Sequence, residues 1–244
     1  MRLAVFSDIH GNAVALDAML EDLARRPADA MVCLGDAVQG GPEPARTVER
    51  LRALACPVVM GNADAWLLSG VETSGHPPPP ERQRVLDAVR EWSLTKLGAE
   101  DRGFIAGFAP TVTVPLGNGR SLLGFHGSPA SFDEILLPDT PREIFERALG
   151  PHSRHLLAGG HVHLPYVRRL GDSVHFNPGS VGMAYEQGQT TRVDAWAEYA
   201  VLSVEGDRLG LEFRRVPYPV ETLASVYRES GRPFAKESLA QYGV

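Results

Sequence analysis

Apolar residues run unbroken through positions 3–6 and stop at Ser7 and Asp8, after which "NAVALDAMLEDLARR" spaces its apolar residues along one helical face. This pattern predicts a strand over 2–7, a turn, and an amphipathic helix opening at Asn12. The same order returns. "DAMVCLG" predicts a second strand, "PARTVERLRALA" a helix and "PVVMGN" a third strand. Strands alternating with helices predict parallel pairing, with ligands beyond the carboxyl ends of the strands. Helices are expected next over 64–70 and 81–97, separated by "SGHPPPP", whose prolines suit neither a helix interior nor an inner strand. From Thr111 onward strands dominate, at 111–116, 120–125, 154–158, 165–170, 173–177, 198–204 and 208–215, with helices near 141–149 and 219–229. No repeat of fixed period interrupts them. The expectation is an α/β chain in which residues 1–244 form one domain of two sheets packed face to face. Residues 64–110, with the proline segment, are a candidate cap insertion.

Composition narrows this little. With 43% hydrophobic residues in 244, the chain can bury a full core, which excludes a disordered protein. The net charge of -6 and the absence of a dense Lys/Arg run argue against a nucleic-acid surface but leave small anionic substrates open. Cys33, in an apolar stretch, and Cys56, before Pro57, read as reduced thiols rather than a disulfide framework. "MRLAVFSDIHGN" lacks the apolar core of a signal peptide, and no window approaches the ~18 apolar residues of a membrane span, so a cytoplasmic chain without a membrane partner is expected.

The chemistry lies in five short clusters, each after an expected strand: "SDIHGN" (7–12), "LGDAVQGGP" (34–42), "MGNAD" (60–64), "FHGS" (125–128) and "GGHVH" (159–163). One Asp-x-His or His-x-His is common by chance; five in order, all at strand ends, are not. In extended chain, residues i and i+2 project to one side, so Asp8 with His10 would form one pincer and His161 with His163 another. Glycines 35, 61, 127 and 160 are read as tight turns that bring the backbone close to bound ions.

The clusters resemble the calcineurin-like metallophosphoesterase family, whose pattern is Asp-x-His, Gly-Asp, Gly-Asn-His-Asp/Glu, Gly-His and Gly-His-x-His. The match covers roughly 8–163. It implies a four-layer α/β/β/α sandwich with two mixed β-sheets and a centre of two divalent ions: manganese, iron or zinc. Carried over residue by residue, it implies that Asp8, His10, Asp36 and His163 hold one metal and Asp36, Asn62, His126 and His161 the other. Asp36 would bridge the pair. Asp36, Asn62 and His126 would then serve catalysis by holding metal and phosphate. The nucleophile implied is a metal-bridging hydroxide, and the net positive charge left on such a centre suits an anionic ester.

The sequence departs from the pattern at one position. Ala63 stands where the family's histidine assists the leaving oxygen, and a methyl group donates no proton. Without that acid, substrates with good leaving groups are favoured, and smaller bacterial and archaeal phosphodiesterase-like members also lack the histidine, a resemblance that implies activity rather than decay. The implied substrates are small phosphodiesters or nucleotides, dinucleoside polyphosphates among them. The alternatives are a phosphomonoesterase or protein phosphatase, and a metal-binding scaffold with little turnover; a nuclease fits the acidic balance poorly. Asp64 is read as a carboxylate in a helix first turn, Asn12 as either a phosphate contact or a helix cap. His76, His152, His155 and His175 take surface or structural roles, with His76 alone worth testing as a substitute acid. "HFNPGS" (175–180) is read as a turn shaping the site wall.

Overall fold

The computed structural model describes residues 1–152, 156–185 and 192–244. Elements follow in the order β1 (Arg2–Phe6), α1 (Ala13–Arg25), β2 (Ala30–Cys33), α2 (Pro44–Leu54), α3 (Asn62–Ser69), α4 (Pro80–Lys96), α5 (Ala99–Ala106), β3 (Val112–Gly117), β4 (Arg120–Gly124), α6 (Arg142–Leu149), β5 (Leu156–Ala158), β6 (Pro165–Leu170), β7 (Ser173–Pro178), β8 (Trp196–Glu205), β9 (Arg208–Pro217), α7 (Val220–Ser230) and α8 (Ala235–Ala240). Two mixed sheets result. One runs β2-β1-β8-β9, parallel between β1 and β2 and antiparallel elsewhere; the other runs β3-β4-β5-β7-β6, parallel where β5 meets β4 and β7.

Alternation along the strands sorts their side chains into layers. Leu3 and Val5 of β1, with Leu202 and Val204 of β8, meet Leu122, Ala158 and Phe176 between the sheets. Ala4 and Phe6, facing the other way, pack with Leu16 and Met19 of α1 and Leu223 of α7. On the far face of the second sheet, Leu123, Leu157 and Tyr166 pack on Phe145 and Leu149 of α6. Helices thus cover both outer faces, giving the expected four-layer α/β/β/α sandwich. The apolar run in β1 needs no alternation because both its faces are buried.

The structure differs from the sequence expectation in three elements. The third strand expected at "PVVMGN" is reduced to two isolated parallel bridges, Cys33 to Val58 and Val59 to Ala109. Pro57 brings no N–H to a ladder, and the chain enters α3 at Asn62, so too few residues remain to pair. The glycines at 98, 103 and 107 concealed α5, whose start is held by Asp101 Oδ2 accepting the Gly98 N–H at 2.9 Å. Helix α8 also had no expected counterpart. The strand expected over 154–158 is described only from Leu156, and His155 lies outside the described residues. Among the described residues no helix is long and apolar enough to cross a membrane.

Candidate metal centre

Loops leaving the carboxyl ends of β1, β2, β4 and β5 converge and are stitched together by their backbones. The Asp8 N–H donates to Gly35 O at 2.9 Å, His10 N–H to Asp36 O at 2.9 Å, and Gly160 N–H to His126 O at 2.8 Å. The pincers form by another route than extended chain. Strand β1 ends at Phe6, and Asp8 (φ 55°), His10 (φ 49°), Asp36 (φ 49°), His161 (φ 72°) and His163 (φ 59°) all take left-handed backbone. Each such residue costs of order 1–3 kcal/mol and persists only where its surroundings hold it, so their concentration here marks a functional site. Asp8 and His10 stay in one group, as expected, but His161 and His163 fall into different ones. Asp8, His10 and His163 form one, and Asp36, His126 and His161 the other, with the candidate ligand atoms of each group within 4.8 Å of one another.

Three imidazoles are aimed by backbone carbonyls. Nδ1 lies 2.9 Å from Gln39 O in His10, 2.8 Å from Leu34 O in His126 and 2.7 Å from Met183 O in His163. A carbonyl oxygen only accepts, so each Nδ1 carries a proton and Nε2 is the atom turned to the centre. His10 Nε2 and His163 Nε2 then face each other at 3.1 Å. As neutral rings they would oppose two lone pairs, and buried Asp8 Oδ1, which has no hydrogen-bond partner, lies 3.2 Å from the same His163 nitrogen. A cation bound among them would satisfy all three atoms. Asp36 directs Oδ1 to the Ala63 N–H at 2.8 Å, leaving Oδ2 3.4 Å from His126 Nε2 and 3.7 Å from His10 Nε2, within reach of both groups. Asn62 Oδ1 lies 3.0 Å from His126 Nε2. The donor set of imidazole, carboxylate and one amide oxygen fits two borderline divalent ions. All seven residues singled out in the sequence are brought together.

The metal-free electrostatics repeat this pairing with protons. Burial opposes ionisation of Asp36, yet the charges of His126 and His10 hold its carboxyl well below the usual range. Asp8 is likewise lowered, burial being outweighed by the charge of the adjacent His163. Burial pulls His126 down, but Asp36 raises it on balance to about 10, while burial and the charge of His126 push His161 down to about 4. Relative to an unfolded pKa of 6.5, the raised His126 stabilises the fold fully below 6.5 and loses that contribution as pH rises towards 10. Depressed His161 has the opposite sign, contributing fully above 6.5 and losing it as pH falls towards 4. For these two groups the melting temperature of chelated protein peaks near pH 6.5, and saturating metal flattens the alkaline fall because the ion replaces the His126 proton. Thermal scans from pH 5 to 9, with and without chelator, check this; an unchanged alkaline limb on adding metal would contradict it.

Of the four motif glycines only Gly35, at φ 98°, uses left-handed backbone. Gly61 is ordinary extended chain, and glycine is required there by proximity: an added Cβ would stand 2.0 Å from Asp36 Oδ1 and 2.2 Å from Asp36 N. Gly61→Ala is therefore expected to cost about 1–3 kcal/mol as an overpacked site and, by displacing Asp36, to weaken metal binding about 10- to 100-fold. Urea midpoints and metal titrations measure both effects. Gly103→Ala, in open space on α5, is the control and should stabilise by about 0.5–1 kcal/mol.

Other sequence candidates take supporting places. Asn12 caps α1, its Oδ1 accepting the Ala15 N–H at 3.0 Å while Nδ2 donates to Gly182 O at 3.1 Å and to Tyr218 Oη at 3.5 Å, so its side chain is engaged away from a phosphate. Asp64 is in the first turn of α3 as expected, but fully buried, accepting the N–H groups of Ala37 and Val38 at 3.0 Å each and so fixing the loop that carries Asp36. Burial and the neighbouring Asp36 charge raise it to about 7. The "HFNPGS" turn braces the centre: Ser180 Oγ donates to Asp8 O at 2.7 Å and Asn177 Nδ2 to Gly160 O. His175 is buried against Phe125, Phe145 and Tyr166, and His152 ends a short 3-10 turn. The carbonyls of Leu34, Gln39 and Met183 carry no signal that sequence reasoning could use. A cavity of about 430 Å³ opens from the centre past Ala63 and His76, bounded by the 71–78 loop and α4 on one side and by α7 and α8 on the other.

Residues 1–207 match the calcineurin-like phosphoesterase superfamily domain. Phosphodiesterase YfcE of Escherichia coli K12 is 30% identical over 193 residues, which span 75% of this chain and 80% of that protein. A metallophosphoesterase from Sphaerobacter thermophilus superimposes with a TM-score of 0.72 at 26% identity, all of both chains being covered. A hypothetical protein from Pyrococcus horikoshii OT3 shares the fold at a TM-score of 0.80 and 22% identity, over 99% of this chain and 97% of that one. The chain belongs to the calcineurin-like phosphoesterase superfamily.

Proposed function

We propose that the protein is a dinuclear-metal phosphoesterase acting on small phosphodiesters or nucleotides. One observation carries this: the two His/Asp groups lie side by side, and Asp36 Oδ2 reaches both. Asp8, His10, Asp36 and His163 would hold one ion, and Asp36, Asn62, His126 and His161 the other, manganese, iron and zinc being the candidates. When bound, such a pair supplies positive charge for phosphoryl oxygens and a nucleophile from water at neutral pH. The chain's own residues hold the rest: the carbonyl-anchored imidazoles fix ligand directions, Asp64 and the Ala63 N–H fix Asp36, and the cavity wall orients the ester. In hydrolysis the oxygen of water bonds to phosphorus, the ester P–O bond breaks, and a water proton ends on the leaving oxygen.

The phosphodiesterase name of the Escherichia coli relative supports a diester, and the methyl of Ala63, on the cavity wall, leaves room for a second substituent. Residues 1–244 would act as one domain, with 64–110 as a cap over the centre, working on small molecules rather than nucleic acid and in the cytoplasm. The test strips the protein with chelator, restores manganese, and compares bis-p-nitrophenyl phosphate with p-nitrophenyl phosphate. Manganese-dependent turnover with the diester preferred is expected. A preference for the monoester would make it a phosphatase, and bound metal without turnover of either would make it a scaffold.

A further inference from the structure

The cavity that starts at the candidate metal centre ends against a wall that the superfamily match does not include. That match stops at residue 207, whereas Tyr227, Arg232, Phe234, Gln241 and Tyr242 line the cavity. Phe234 is the unusual member. It takes left-handed backbone at φ 56°, which costs a bulky residue of order 1–3 kcal/mol, and the residue, which lines the cavity, remains 38% exposed. Folding alone rewards neither. The turn is nevertheless held firmly: the Arg232 guanidinium, over the Tyr227 ring, donates to Gly40 O at 2.7 Å, to Pro233 O at 2.9 Å and to Ser238 Oγ at 2.8 Å. Gly40 follows Gln39, whose carbonyl aims His10, so the aromatic wall is tied directly to the metal-bearing loop.

We propose that this wall receives the nucleobase of a nucleotide ester whose phosphate lies at the metal centre, with Phe234 as its stacking face. The proposal rests on the phosphoesterase function above and narrows its substrate class. Trp66 and Leu86 bring further apolar surface, and a volume of about 430 Å³ is in the range of small-molecule sites. The amides of Gln83 and Gln241 each offer a donor and an acceptor, the combination that base edges pair with. The carboxylates of Glu72 and Glu237 also line the cavity. Arg82 and Arg232 line it too, so its charge is mixed, and the carboxylates can accept from the N–H groups of a base edge.

The test uses two esters with the same leaving group, thymidine 5′-(p-nitrophenyl phosphate) and methyl p-nitrophenyl phosphate, on the manganese-loaded full chain. The expected preference for the nucleoside ester is about 10-fold in kcat/KM, carried by KM, since stacking of one base on an aromatic side chain is worth about that factor. Phe234→Gly suits the left-handed backbone and so keeps the fold; it should abolish the preference, read as the ratio of kcat/KM for the two esters within the same variant, and Phe234→Trp should retain it. Calorimetric titration with thymidine 5′-monophosphate and methyl phosphate should show the same 10-fold difference, lost in Phe234→Gly. Equal handling of both esters by the wild type, or a preference that survives Phe234→Gly, overturns the base site alone. Failure to turn over either ester overturns the phosphoesterase function beneath it, and the base site with it.

Discussion

Asp36→Asn is expected to lower kcat/KM for a phosphodiester by about 10³-fold or more, with at most one ion retained per chain. The substitution preserves shape and can keep an acceptor for the Ala63 N–H, so its effect isolates the charge and the second oxygen. Oδ2 is the atom that faces His126 and His10, one from each group, and an amide that turns its oxygen to Ala63 presents NH₂ there instead. A donor in that place repels a cation. Loss of several kcal/mol of charge stabilisation corresponds to the stated factor, since each 1.36 kcal/mol is tenfold. A second readout requires no turnover. In chelated protein the elevation of His126 depends on the Asp36 charge, so its pKa should fall from about 10 towards or below the unperturbed range in the variant, a change that NMR titration of the imidazole follows. Two retained metals and undiminished hydrolysis would remove Asp36 from the bridging position.

The sequence made the ligand types and their strand-end positions readable because both are local properties. Asp8, Asp36, His126 and the His161–His163 pair each follow an apolar run that the sheet buries. It could not show how they are aimed. That depends on left-handed backbone at residues that are not glycine and on carbonyls from distant loops, such as Met183 O for His163. Sequence proximity paired Asp8 with His10 correctly but not His161 with His163, which fall into different groups, whereas Asp8 and His163, far apart in the chain, meet at 3.2 Å. Asp64 was undervalued because a first-turn carboxylate is usually explained by its own helix, and its two N–H partners belong to another loop. The layers were legible from the periodicity of their strands. Helix α5 was not, since its glycines outweighed its short apolar segment Phe104–Ile105, and neither was α8.

Ala63 sets the second large effect. With no histidine at that position, turnover should depend steeply on the leaving group: a p-nitrophenyl diester should outpace an alkyl diester of similar size by about 10²- to 10⁴-fold beyond the ratio seen in enzymes with a positioned acid, because general-acid help of that magnitude is absent. Position 63 can be tested without disturbing Asp36, since it supports the carboxylate through its backbone N–H while its methyl lies on the cavity wall. Ala63→His should therefore keep metal affinity, raise kcat for the alkyl diester and flatten the dependence on leaving-group pKa. His76→Ala provides the complementary comparison: the residue lies on the same wall, with Nδ1 3.1 Å from Ser74 O. If His76→Ala steepens the dependence, the loop histidine has taken over part of the missing role. If the wild-type rate is already independent of leaving-group pKa, P–O cleavage does not limit turnover, and the alanine has no kinetic consequence.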